Sequence, residues 1–194
     1  MRAALLIAGV LVAGPARAGQ GSFGVGVTLE TAILPGASAS RWGPDGAMED
    51  VAGSTGLSCV GGKALYRDAH LTRLSVEGGY CRDLSWRIEA EWSYVGAAVG
   101  KEASIGAGRF AGGQIGLGWG QGSEFLYAYS QRDVYLRPRA YLMLPLGATA
   151  AEVGAYAHLP LLYRQRQDGL GGGVGFTPWF GLEATFYLGH FAGE

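Results

Sequence analysis

The chain has 194 residues, with 15 Lys and Arg against 16 Asp and Glu and a formal net charge of −1. That balance gives no electrostatic pull toward a polyanion, which excludes a nucleic-acid partner. Beyond residue 18 no apolar run reaches the ~18 residues of a spanning helix, so any crossing of a bilayer falls to strands.

Residues 1–18 read as an export leader. Arg2 supplies the positive start, Ala3 to Ala13 an apolar stretch, and Pro15-Ala16-Arg17-Ala18 a cleavage site with small residues. The remainder, 19–194, is expected to form one domain. Its glycine is abundant, 35 in the chain, against a usual level of about 7%. Disordered glycine-rich chains are poor in aromatics, yet five Trp and ten Tyr are present here. Glycines alternating with apolar and aromatic residues favour closely approaching strands.

The dominant period is two. In 21–30, Phe23, Val25, Val27 and Leu29 alternate with small and charged residues ending in Glu30. A long connection is expected over 34–70. In 73–81, Leu74, Val76 and Tyr80 oppose Arg73, Ser75 and Glu77. In 84–95, Trp86, Ile88, Trp92 and Tyr94 oppose Arg87, Glu89, Glu91 and Ser93. The segment 107–119 ends in Ile115, Leu117 and Trp119. A short aromatic strand is expected at 124–130 and another at 134–144, where Arg137, Arg139 and Tyr141 oppose Leu136, Ala140 and Leu142. Pro138 is awkward there, because proline removes a ladder donor. In 150–161, Glu152 and His158 share the face opposite Val153 and Leu159; the last segment sets Glu183 against Phe180, Leu182 and Phe186.

These eight segments have short connections at 82–83, 121–123 and 145–147 and long ones at 34–70, 98–106 and 164–177. The pattern predicts an all-β fold, a single closed antiparallel up-and-down transmembrane barrel of eight strands. In such a barrel the oily face meets lipid and the polar face lines the lumen. Small residues on the polar face (Gly24, Gly26, Gly79, Gly116, Gly118, Gly154) suit a narrow bore. Trp86, Tyr94, Trp119, Trp179, Phe180 and Phe191 are expected in interfacial girdles. A bore this size is filled by side chains, so inward charges must pair. The expected lumen network is Glu30, Arg73, Glu77, Arg87, Glu89, Glu91, Arg137, Arg139, Glu152 and Glu183, in a structural role.

Cys59 and Cys81 are the only cysteines. In an oxidising compartment a disulfide is open to them, and a hairpin centred near His70 sets them opposite each other. That hairpin makes 57–66 an extra strand and points toward ten strands; the eight-strand plan places the two cysteines far apart. Both alternatives stand at this point.

This pattern resembles the small bacterial outer-membrane barrels of the OmpA type. The resemblance implies an outer-membrane location, contact with outer-membrane lipid, and biogenesis through the barrel-assembly machinery, for which Phe186-Tyr187-Leu188-Gly189-His190-Phe191 looks like the terminal signal; here Ala192-Gly193-Glu194 follow it.

Some barrels of this size are lipid-modifying enzymes, which need a His base within reach of a hydroxyl. Only His70 has a hydroxyl two residues on, Thr72, and it stands at a loop boundary. The glycine runs 106–108 and 169–175 do not open a helix after a strand, as a phosphate loop requires. Glu89 and Glu91 have a spacing open to acid/base work, but interior pairing accounts for them. The expectation is no catalytic residue, no cofactor and no metal. The function expected is a non-enzymatic barrel acting structurally or in surface contact through its loops, 34–70 foremost. The alternatives are a soluble periplasmic lipocalin-like binder with a greasy lumen and a lipid-modifying enzyme.

Overall fold

A computed structural model describes residues 21–42, 48–83, 90–124, 129–167 and 178–191. The expected leader lies outside them, as do Trp86, Arg87 and Glu89. Eight strands follow in chain order: β1 (Ser22–Trp42), β2 (Met48–Arg67), β3 (Thr72–Asp83), β4 (Ala90–Ser104), β5 (Phe110–Glu124), β6 (Tyr129–Pro145), β7 (Thr149–Gln167) and β8 (Trp179–His190). Each pairs antiparallel with its neighbour, and β1 closes on β8 from Phe23↔His190 to Ile33↔Phe180. The fold is a closed, up-and-down, eight-stranded barrel.

The expected count is correct, but two of its members are not. The stretch read as a long loop holds the outer part of β1 and the whole of β2, so 34–42 and 48–67 are wall and 68–70 belong to a tight turn. Conversely, 124–130 and 134–144 are not two strands: residue 124 ends β5, and β6 runs unbroken from 129 to 145. The short connections expected at 82–83 and 121–123 lie inside β3 and β5, and 98–104 belongs to β4.

Tight turns at 68–71, 105–109 and 146–148 gather at one end, with both ends of the described barrel. Asp68 shapes the first turn: its Oδ1 accepts from the amides of His70 and Thr72 at 2.9 and 2.7 Å, while Leu71 takes a positive φ of 58°. The amide of Thr72 holds the Asp68 carboxyl below its ordinary range. At the second turn Gly106 and Gly108 take φ values of 89° and 67°, the left-handed region that glycine enters without a Cβ clash.

The apolar face points outward. Leu29, Ile33, Ile115, Leu182 and Leu188 are each 60–63% exposed, while Glu30, Glu152 and Glu183 are at most 5% exposed. On β1 the oily ladder runs from Phe23 to Ile33. Ten steps of about 3.3 Å, tilted about 45°, give a band roughly 25 Å tall, the height of a bilayer's hydrocarbon layer crossed by a barrel.

One strand has the opposite phase from that expected. In β4 the rings of Trp92 and Tyr94 turn inward, and Glu91, Ser93 and Val95 face out. The lipid face of this strand is carried by Val95, Ala97 and Val99, beyond the stretch in which the rings dominate the pattern. Three expected girdle aromatics, Tyr94, Trp179 and Phe191, are also interior, whereas Trp119 and Phe180 are exposed outside.

Candidate functional site: the packed lumen

The interior is stacked in layers. Toward the tight turns, Leu65, Phe110, Tyr141, Met143, Ala150, Tyr187 and Phe191 form one buried cluster. Toward the other end, Ala32, Leu57, Cys59, Cys81, Trp92, Tyr94, Tyr135, Tyr156 and Trp179 form a second. Charged side chains fill the space between. Glycines on the wall make room for the rings. A Cβ on Gly79 would stand 2.8 Å from the ring of Tyr94, and one on Gly96 would stand 2.9 Å from the Tyr135 hydroxyl. The small lumen-facing residues are therefore seats for rings that lie over them from strands one or two places along the sheet.

Among the described residues, five cations (Lys63, Arg67, Arg73, Arg137, Arg139) and five glutamates (Glu30, Glu77, Glu102, Glu152, Glu183) are buried there. Lys63 Nζ lies 2.9 Å from Glu183 and 3.2 Å from Glu152, with Glu77 at 3.9 Å. Arg73 reaches Glu152 at 2.5 Å and Glu102 at 3.1 Å, and Arg67 meets the other Glu102 oxygen at 3.2 Å. Arg137 bridges Glu30 (2.5 Å) and Glu77 (3.4 Å), and Arg139 bridges Glu77 (2.6 Å) and Glu183 (2.8 Å). Ionised groups leave water only at high cost unless paired; here each has a partner and the ten sum to zero. Tyrosines add further partners: Tyr94 donates to Glu30, Tyr141 to Glu102 at 3.1 Å, and Arg73 donates to the Tyr187 hydroxyl at 2.9 Å. Guanidinium faces lie over rings as well, Arg137 at 3.7 Å from Tyr156 and Arg67 at 4.0 Å from Phe110.

Of the expected network, Glu30, Arg73, Glu77, Arg137, Arg139, Glu152 and Glu183 meet in the lumen. Glu91 does not: it is exposed on the outside of β4, in register with Arg82. Arg87 and Glu89 lie outside the described residues. Lys63, Arg67 and Glu102 were missed because they sit in stretches read as connections. In β2 the inward set includes Leu57 and Leu65 while the outward set is Ser58, Val60, Gly62, Ala64 and Tyr66, so neither face looks greasy. Cys59 and Cys81 are directly opposed across β2 and β3 and form a disulfide inside the barrel. The hairpin near His70 is real, and the total stays at eight because β6 is one strand.

A greasy ligand chamber is not what the described lumen provides. His70 lies in the exposed 68–71 turn and Thr72 opens β3 beside it; the backbone amides of both engage Asp68, and the Thr72 hydroxyl reaches the same carboxylate. Two further buried polar groups form a pair of their own. His158 Nε2 lies 3.2 Å from Asp133 Oδ2, and the imidazole is stacked on Trp179 with ring centres 3.8 Å apart.

No family model matches the chain, and no curated protein matches it. Among solved structures, the chain is similar to neisserial surface protein A (NspA), with a TM-score of 0.54 at 11% identity over 84% of this chain and 96% of that one. The attachment invasion locus protein Ail of Yersinia pestis also matches, with a TM-score of 0.45 at 14% identity over 88% of this chain and 99% of that one. The likeness to NspA shows the fold, that of a small eight-stranded outer-membrane barrel.

Proposed function

We propose that the protein is a non-enzymatic barrel of the bacterial outer membrane, with a structural and surface-contact role. The single observation that carries this reading is the inverted pattern of burial. Exposed Ile, Leu, Val and Phe ring the outside while a neutral ion network fills the inside. In water such a belt would far exceed the apolar patches that soluble monomers tolerate; in lipid it is the stable arrangement. Tight turns in barrels of this kind face the periplasm, so the opposite end, reached by the outer parts of β1, β2, β6 and β7, is the external one. A lumen packed with paired charges and rings leaves the strand ends and their connections as the surfaces that can meet a partner. Outer-membrane lipid and, during biogenesis, the barrel-assembly machinery are the partners this reading requires.

The test is fractionation joined to gel behaviour. Detergent-dependent extraction with outer membranes, and a change of migration on boiling, are the expected results. Release by osmotic shock would remove the membrane reading. The surface-contact role is tested separately, by loss of cell adhesion when 43–47 and 168–177 are replaced by short glycine-serine turns in a barrel that still migrates as folded. Unchanged adhesion would leave only the structural role.

A further inference from the structure

The ten-member network is neutral without Asp133 and His158. These two sit one layer outward, on β6 and β7, among the rings of the outer cluster, and both are about 2% exposed. Asp133 makes one ion pair among the described residues, with His158, and its Oδ1 has no hydrogen-bond partner among them. Among the described residues the charge of this layer is therefore set by the imidazole. A neutral ring leaves one net negative charge in the layer, and an imidazolium leaves none.

The surroundings of that ring are unusually complete. Trp179 of β8 stacks on one face at 3.8 Å, Tyr135 of β6 lies at 4.2 Å, and Trp92 of β4 presents its ring perpendicular at 5.8 Å. Asp133 of β6 meets its edge, and Arg137 of β6 and Glu30 of β1 act on it from the layer beneath. Burial opposes a charge on the imidazole, while the adjacent Asp133 carboxylate and the two ring faces favour it. Histidine is the side chain whose proton equilibrium is moved across the neutral range by such small imbalances.

We propose that His158 and Asp133 form a proton-responsive latch in the outer aromatic layer, in which the charge of the imidazole sets how firmly Trp179 and Tyr135 close over the lumen. Its two states differ by a full charge in a layer with no other titratable imidazole, so the packing of the rings follows the proton. The external end of the barrel would thereby register the acidity of the medium.

The test uses the full-length barrel folded in detergent. Tryptophan emission is followed from about pH 4.5 to 8.5, the interval in which an imidazole titrates, because an imidazolium against an indole quenches it. The expected result is a reversible single-proton step that is absent in H158Q. A change of at least about threefold in the rate of heat unfolding should accompany the step over the same interval, as linkage requires. A flat emission profile, a step retained in H158Q, or a step with no change in unfolding rate each overturns the latch. Should H158Q fail to fold, imidazole resonances of the histidine-labelled wild-type protein decide the matter. His70 and His190 are exposed and serve as references; a third histidine that never titrates in this interval also overturns the proposal.

Discussion

Gly24 leaves the space that the ring of Phe191 occupies: a Cβ on Gly24 would collide with the tip of that ring. Phe191 also lies 6.0 Å from Tyr187, ring centre to ring centre, so the last described residue of the chain caps the turn-side end of the lumen. Replacing Gly24 by leucine should cost about 1–3 kcal/mol, the range for overpacking a core. Equilibrium unfolding in urea checks this. In a Phe191→Ala background the same substitution should cost much less, because the two sites share one space.

Lys63 answers three carboxylates at once. Lys63→Met should destabilise the barrel by about 3–5 kcal/mol, since it strips the counter-charge from buried groups. Pairing it with Glu183→Gln should recover a large part of the loss. The urea midpoints of the two variants decide; equal midpoints would show that charge balance is not what Lys63 supplies.

The disulfide is sealed, with Cys59 5% and Cys81 2% exposed. A reductant added to the folded protein should leave both thiols unlabelled by an alkylating reagent, whereas reduction should be complete once urea unfolds the chain. The Cys59→Ser, Cys81→Ser double variant should lose about 2–4 kcal/mol.

Orientation is tested by two arginines. Leu182→Arg places a charge in the oily belt and should cost about 2–4 kcal/mol in liposomes. Glu91→Arg, on the exposed outside of β4, should stay within about 0.5 kcal/mol. A severe effect of the second would mean that Glu91 faces the lumen after all.

Asp68 tests the turn between β2 and β3. Its carboxyl is held below the ordinary range by the Thr72 amide, so the folded turn favours the ionised form. The contribution is present above the unfolded carboxylate range and is lost as pH falls through the depressed value. The protection of the Thr72 amide, its exchange rate relative to that of an unstructured amide at the same pH, should therefore be constant near neutrality and fall only in acid. In Asp68→Ala it should be low throughout.

Where one face was oily and the other polar, sequence alone placed the side chains correctly: Leu74 and Val76 outside Arg73 and Glu77, Leu182 and Phe186 outside Glu183. It failed where rings went inward. Trp92 and Tyr94 count as oily in any pattern, yet both belong to the outer aromatic cluster and Tyr94 also donates to Glu30. It failed again at β2, whose lipid face is built from Ser58, Val60, Gly62 and Ala64. The pairing of Asp133 with His158 was not legible either, because it depends on the register between β6 and β7 rather than on spacing along either strand. The cysteines were the better guide to β2: their opposition required a strand that periodicity did not show.

The routes of the ion pairs bear on how the molecule is built. Lys63 of β2 reaches Glu152 of β7 and Glu183 of β8, and Arg137 of β6 reaches Glu30 of β1. Partners thus stand on opposite arms of the sheet and come together only as β1 meets β8. An open sheet threaded into hydrocarbon one hairpin at a time would expose these ions to the least forgiving solvent in the cell. Pairing of these charges therefore favours closing the β1–β8 seam no later than the strands meet lipid.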